Sequence, residues 1–142
     1  MMTRVIMMIK RVIKMLDYEI ADDLRDLAVR VIKDNNLSYI DIDKIQFMKL
    51  SKNLLRPTCQ IVGRCVLMHP RIQKLLNKNY IIEFTPIFFT KPVETQEMFM
   101  LHELLHISDD MEGLAPHEYE EFRLVLDKYS DTYYKELKIL QK

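Results

Sequence analysis

The 142-residue sequence predicts one α+β domain, and three observations carry that reading. Apolar residues recur at helical spacing from Ile20 to Ile32. β-rich runs separated by X-Pro steps follow in the middle of the chain, and two further helical patterns fill the C-terminal third. No repeat or linker-like stretch divides the chain, so residues 17–142 are expected to form the single domain, behind a basic extension over residues 1–16.

The elements follow in order. The first fourteen residues carry Arg4, Lys10, Arg11 and Lys14 with no acid, and their apolar run Val5 to Ile9 is too short for a signal-peptide core. They read as a frayed extension, as an upstream start where Met15 is the natural one, or as a basic amphipathic helix that touches a membrane or a partner. From Asp17 to Asp34 the positions Ile20, Leu24, Leu27, Ala28, Val31 and Ile32 make one buried helix face, with Asp17 as cap and Asn35-Asn36 as stop. Strands are expected over Lys44 to Leu50, Cys59 to Met68 and Tyr80 to Phe84, the last with a possible continuation through Ile87 to Phe89. Arg71 to Leu76 makes a short helical turn between the second and third. A helix opened by Pro92 is apolar on nearly every side through Ile107, which places it in the interior. Ser108 to Ala115 reads as a loop. Pro116 then opens a long last helix with the stripe Tyr119, Phe122, Leu126, Tyr129, Tyr133, Leu137 and Leu140.

Composition limits the function classes. At 49% hydrophobic and 30% charged the chain can bury a core, and 2 Gly with 5 Pro exclude collagen-like and low-complexity readings. No stretch resembles a transmembrane span. Cys59 and Cys65 are six apart in an expected strand, about 20 Å between Cα atoms, too far to bridge. With no C-x-x-C pair there is no zinc ribbon, and two free thiols suggest a reducing, cytoplasmic setting. The net charge is zero, yet residues 44–91 hold nine Lys or Arg against Glu83 alone, and residues 94–121 hold nine acids and no base. The two parts neutralise each other within the fold, or the basic one is a substrate or nucleic-acid face.

The chemistry sits in His102-Glu103-Leu104-Leu105-His106. Histidines four apart lie on one helix face a turn from each other, so both imidazoles can reach one ion at about 2.0 to 2.1 Å. Glu103 stands about 100° round the helix, too far to be an easy ligand but able to hold a water beside the ion and take its proton. This is the H-E-x-x-H arrangement of zinc peptidases. Two His and a Glu in so apolar a segment are costly to bury without a role.

A catalytic zinc needs a third protein ligand and an open position. His117 follows His106 by eleven residues, after a loop containing Gly113 and Pro116, and can return to the metal; Glu121 or Glu118 is the fallback. His69, before a Pro at a strand end, reads as a turn histidine. Asp109, Asp110 or Glu112 could orient a ligand histidine, or form a solvated acidic loop. Tyr119, Tyr129, Tyr133 and Tyr134 are available as oxyanion donors, though Tyr119, Tyr129 and Tyr133 follow the core stripe. The Cys59 to Met68 strand could pair an extended peptide with Gly63 allowing close approach, although an ordinary strand glycine explains Gly63 as well.

The string His102 to His106 with His117 and Phe122 downstream, behind the β-rich stretch Gln60 to Phe84, resembles the phage-type metallopeptidase family of small zincins and, more distantly, the SprT-like (Spartan) proteases. The resemblance covers about Tyr18 to Phe122. It implies a minimal zincin-like domain with an N-terminal helix, a small three- to four-stranded sheet, a central H-E-x-x-H helix and a long C-terminal helix. It implies Zn2+ held by His102, His106 and His117, with Glu103 as general base acting on a polypeptide substrate. Asp109 and Glu112 stand where the metzincin spacing needs Gly and His, so that subclass does not fit. Two other function classes stand beside the peptidase: a zinc-stabilised interaction module without turnover, and a nucleic-acid-associated protein using residues 44–91.

Overall fold

A computed structural model describes residues 3–8, 18–21, 23–55 and 60–117 and, toward the C-terminus, 124–125, 127–129, 131–132 and 135–136. The fold is α+β. Residues 3–8 are helical, with Val5, Ile6, Met7 and Met8 exposed.

The expected first helix is shorter than its periodicity suggests. Tyr18–Ile20 is a strand, β1, and helix α1 spans Asp23–Asp34. Ile20 falls in phase with Leu24, but Tyr18 to Ile20 pairs antiparallel with a later strand, and sheet hydrogen bonds override the helical phase. The cap assigned to Asp17 lies outside the described residues. α1 buries Leu24, Ala28 and Val31, with Leu27 and Ile32 packed at the margin of the core. It stops where expected. Asn36 takes the left-handed conformation (φ 55°), and Leu37 N donates back to Ile32 O at 3.0 Å, closing the helix end.

Asp41 then caps a 3-10 turn over Ile42–Lys44, accepting from Asp43 N, and β2 runs Ile45–Leu50. β3 (Leu54–Leu55) and β4 (Gln60–Ile61) form a separate two-stranded ladder. The strand expected over Cys59 to Met68 is therefore split: Val62 separates β4 from β5 (Gly63–Leu67), and Cys59 lies outside the described residues. Helix α2 (Pro70–Leu76) follows, with His69 as its N-cap: Nδ1 accepts from Arg71 N at 3.2 Å, which confirms the turn reading of that histidine.

β6 spans Tyr80–Phe84 and completes a four-stranded sheet in the order β1-β2-β6-β5, with β2 and β6 parallel and both edges antiparallel. β6 does not continue. Pro86–Thr90 is a 3-10 turn because Pro86 cannot donate to a ladder, and the turn drives Phe88 into the core, stacked on Phe84 at 3.9 Å. Gly63 faces Phe84 in the ladder. A Cβ at Gly63 would lie 2.6 Å from the Phe84 ring, so this glycine makes room for a core aromatic, as an ordinary strand glycine does.

Helix α3 spans Val93–Leu104 and packs between α1 and β5. As its composition predicts, it is interior: Thr95, Met98, Met100, Leu101, Glu103 and Leu104 are buried. The described residues between 124 and 136 are helical, and Val125 and Tyr129 reach the core. Tyr119, Phe122, Leu126, Tyr133, Leu137 and Leu140 of the expected stripe lie outside the described residues. Lys91 Nζ meets Glu136 Oε2 at 2.8 Å, tying this segment to the approach of α3. Among the described residues no helix is long and apolar enough to cross a membrane.

Candidate metal centre

His102 and Glu103 lie in the last turn of α3, whereas His106 lies just beyond it. Leu105 N still donates to Leu101 O at 3.0 Å, but His106 N turns to Glu103 O at 3.1 Å, so the helix tightens as it ends. The two rings remain neighbours, with centroids 5.3 Å apart. The expectation that both histidines share one α-helix therefore needs a small correction, because the second belongs to the tightened turn.

The chain then reverses. Ile107 bridges Leu114 antiparallel, and Ala115 N donates to His106 O at 2.7 Å. This return carries His117 back over the end of α3. His102 Nε2 and His117 Nε2 lie 3.2 Å apart, and one ring nitrogen from each of His102, His106 and His117 falls within 4.8 Å of the others. Two nitrogens on one tetrahedral zinc are separated by about 3.3 Å, given bonds of about 2.0 to 2.1 Å. The observed edge fits that value, and the three histidines could hold a metal ion.

Their environment favours the form a metal needs. Burial, followed by the neighbouring His106 and His117, pushes His102 down to about 3. Burial also lowers His106, and His117 adds to that, while Ala115 O opposes it. Both imidazoles are thus neutral near pH 7, as metal ligation requires. Ala115 O lies 2.9 Å from His106 Nδ1. A carbonyl only accepts, so this contact places the proton on Nδ1 and leaves Nε2 with its lone pair. A backbone carbonyl thus orients the His106 ring. Asp110 accepts from Ser108 Oγ at 2.7 Å and from Glu112 N at 2.9 Å, and both bonds hold its carboxyl below the usual range.

Glu103 is only 6% exposed and faces the sheet side of α3, where its charge is felt at Cys65 on β5. Burial and then Glu83 push its carboxyl up to about 8. Glu83 itself is paired with Arg64 at 2.6 Å across the β5–β6 ladder. The fallback ligands Glu118 and Glu121, and the tyrosines at 119, 133 and 134, lie outside the described residues.

A family model described as "Putative phage metallopeptidase" matches residues 16–141. The chain belongs to this family. The match spans the helix, the sheet, α3 and the histidine return, so the metallopeptidase assignment rests on the whole domain. No curated protein and no solved structure matches the chain.

Four groups that the sequence reading passed over hold the return from outside. Tyr39 Oη donates to Ile107 O at 3.1 Å and Tyr80 Oη to Gly113 O at 2.7 Å; Asn79 Nδ2 donates to Met111 O at 3.1 Å and Asp41 N to Met111 Sδ at 3.2 Å. A tyrosine at the head of a buried strand is the one local signal, since its hydroxyl must find a partner.

Proposed function

We propose that this metallopeptidase is a zinc-dependent enzyme that hydrolyses peptide bonds, with His102, His106 and His117 as the metal ligands and Glu103 as general base. The observation that carries the reading is the convergence of three imidazole nitrogens at the end of α3, with the closest pair 3.2 Å apart. Bound there, zinc would polarise the scissile carbonyl and acidify water. Glu103 would take the proton of the water that adds to the carbonyl carbon and pass it to the amine released when the C–N bond breaks. β5 pairs with β6 alone among the described strands, so its other edge offers backbone groups to an extended substrate.

The test is metal stoichiometry with peptide hydrolysis on the purified chain and two variants. One zinc per chain is expected, weakened by orders of magnitude in His117→Ala. Glu103→Gln should keep the metal and lose hydrolysis by about 10²-fold or more. A parent protein without metal would refute the reading, and an active Glu103→Gln would remove Glu103 from it. A metal-bound parent with no hydrolysis leaves the alternative of a zinc-stabilised interaction module.

A further inference from the structure

We infer that Tyr80, assisted by Asn79, is a positioning residue for the metal centre, acting through the return that carries His117. The inference rests on the zinc-site reading above. His117 stands on the return and not on α3, so its place relative to His102 depends on how the return is held. A metal–nitrogen bond tolerates displacements of about 0.2 Å, whereas exposed loops move by about 1 Å. The loop must therefore be immobilised from elsewhere.

The sheet provides this. Tyr80 is fully buried at the head of β6, and its hydroxyl donates to Gly113 O at 2.7 Å, two residues before Ala115 and four before His117. Asn79 is anchored through Asn79 N to Lys44 O at 2.7 Å and through Asn79 O to Met68 N at 2.9 Å, and its amide holds Met111 O. Met111 is left-handed (φ 57°), a conformation that a non-glycine residue keeps only where its surroundings hold it. It is held by a side chain 8% exposed whose sulfur accepts from Asp41 N. Ser108 closes the loop internally, accepting from Gly113 N at 3.0 Å. Beyond Gly113 the chain stays tied down, because Leu114 bridges Ile107 and Ala115 is bonded to His106 through both N and O. A rigid path thus runs from β6 through Gly113 to Ala115, which is braced on His106, and on toward His117.

The experiment measures Zn2+ affinity by competition with a chromophoric chelator for the parent, Tyr80→Phe, Asn79→Ala, His117→Ala and the Tyr80→Phe/His117→Ala double variant. The melting point of each metal-free protein is recorded alongside. Tyr80→Phe keeps the ring and removes only the hydroxyl, and it should weaken zinc by about 10-fold. Asn79→Ala should act in the same direction. In the His117→Ala background Tyr80→Phe should change the residual affinity little, because the residue it positions is gone. Unchanged affinity in Tyr80→Phe, or an equal loss with and without His117, would overturn the inference while leaving the zinc site standing. A parent that binds no zinc would overturn both. A purely structural hydroxyl would lower the metal-free melting point and leave the affinity of the folded protein untouched.

Discussion

Gly63 is held in place by what a methyl group would strike. Its Cβ would come within 2.7 Å of two ring carbons of Phe84, and that ring cannot yield because it is fully buried and stacked on Phe88. Gly63→Ala should therefore cost about 1 to 3 kcal/mol, read as a lower urea midpoint at unchanged slope. A wild-type midpoint would mean that β5 can shift away from β6. Tyr80 supplies a pH signature. Burial raises its phenol above the ordinary value of 10. An acid whose pKa is raised on folding binds its proton more tightly in the fold, so its contribution is complete below pH 10 and is lost as pH climbs beyond it. Burial also raises Tyr129, so alkaline titration should show late-ionising tyrosines of which Tyr80→Phe removes one, together with part of the stability loss above pH 10. If all the tyrosines titrate near 10 in the native protein, that hydroxyl is not buried. At this scale His102, Glu103 and His106 were legible because their relation is local, one helical turn. Tyr80 and Asn79 were not, because their partners are backbone carbonyls 33 and 32 residues away, which leave no mark on side-chain identity.

The ion pair between Lys91 and Glu136 decides how the last helical segment is docked. Their side chains are 13% and 9% exposed with 2.8 Å between the charges, so neither is solvated well enough to stand alone. Removing Lys91 leaves a buried carboxylate and should cost about 3 to 5 kcal/mol, whereas Lys91→Met with Glu136→Leu should recover most of it. Chemical denaturation of the two single variants and the double completes the cycle, and additive losses would mean the pair is not coupled. The element-level reading of the sequence failed where tertiary pairing competed with pattern. Tyr18–Ile20 kept a helical phase yet joined the sheet through Tyr18↔Leu50, and Ile87 to Phe89 kept a strand-like composition yet turned because Pro86 broke the ladder. α3 was legible as an interior helix from its all-round apolarity, since no surface position suits such a segment. The sheet order was not. The parallel pairing of β2 with β6 joins segments about 35 residues apart, and strand composition carries no pairing information over that distance.

Charge and metal act on the molecule as a whole. Among the described residues, Arg64 of the basic stretch pairs with Glu83 of the same stretch, while Lys49 reaches Asp23 and Lys91 reaches Glu136, both outside the acidic one. Asp109, Asp110 and Glu112 are exposed acids on the loop between His106 and His117, where negative potential favours a dication. Such an ion would join the end of α3 to the return beyond it, and it would bind the folded chain but not the scattered histidines of the unfolded one. Its effect on stability follows from mass action: about 2.7 kcal/mol at a free concentration 100 times Kd, or a rise in Tm on the order of 10 °C for a domain of this size. Zinc added to chelator-treated protein should produce that rise, and renewed chelation should reverse it. Glu103→Gln should retain the rise, because that carboxylate is not a ligand, while His117→Ala should lose most of it. Thermal melts of the three proteins with and without zinc decide the matter. A rise that survives in His117→Ala would place the third ligand elsewhere, and one that disappears in Glu103→Gln would make Glu103 a ligand, leaving the general base to be found on another residue.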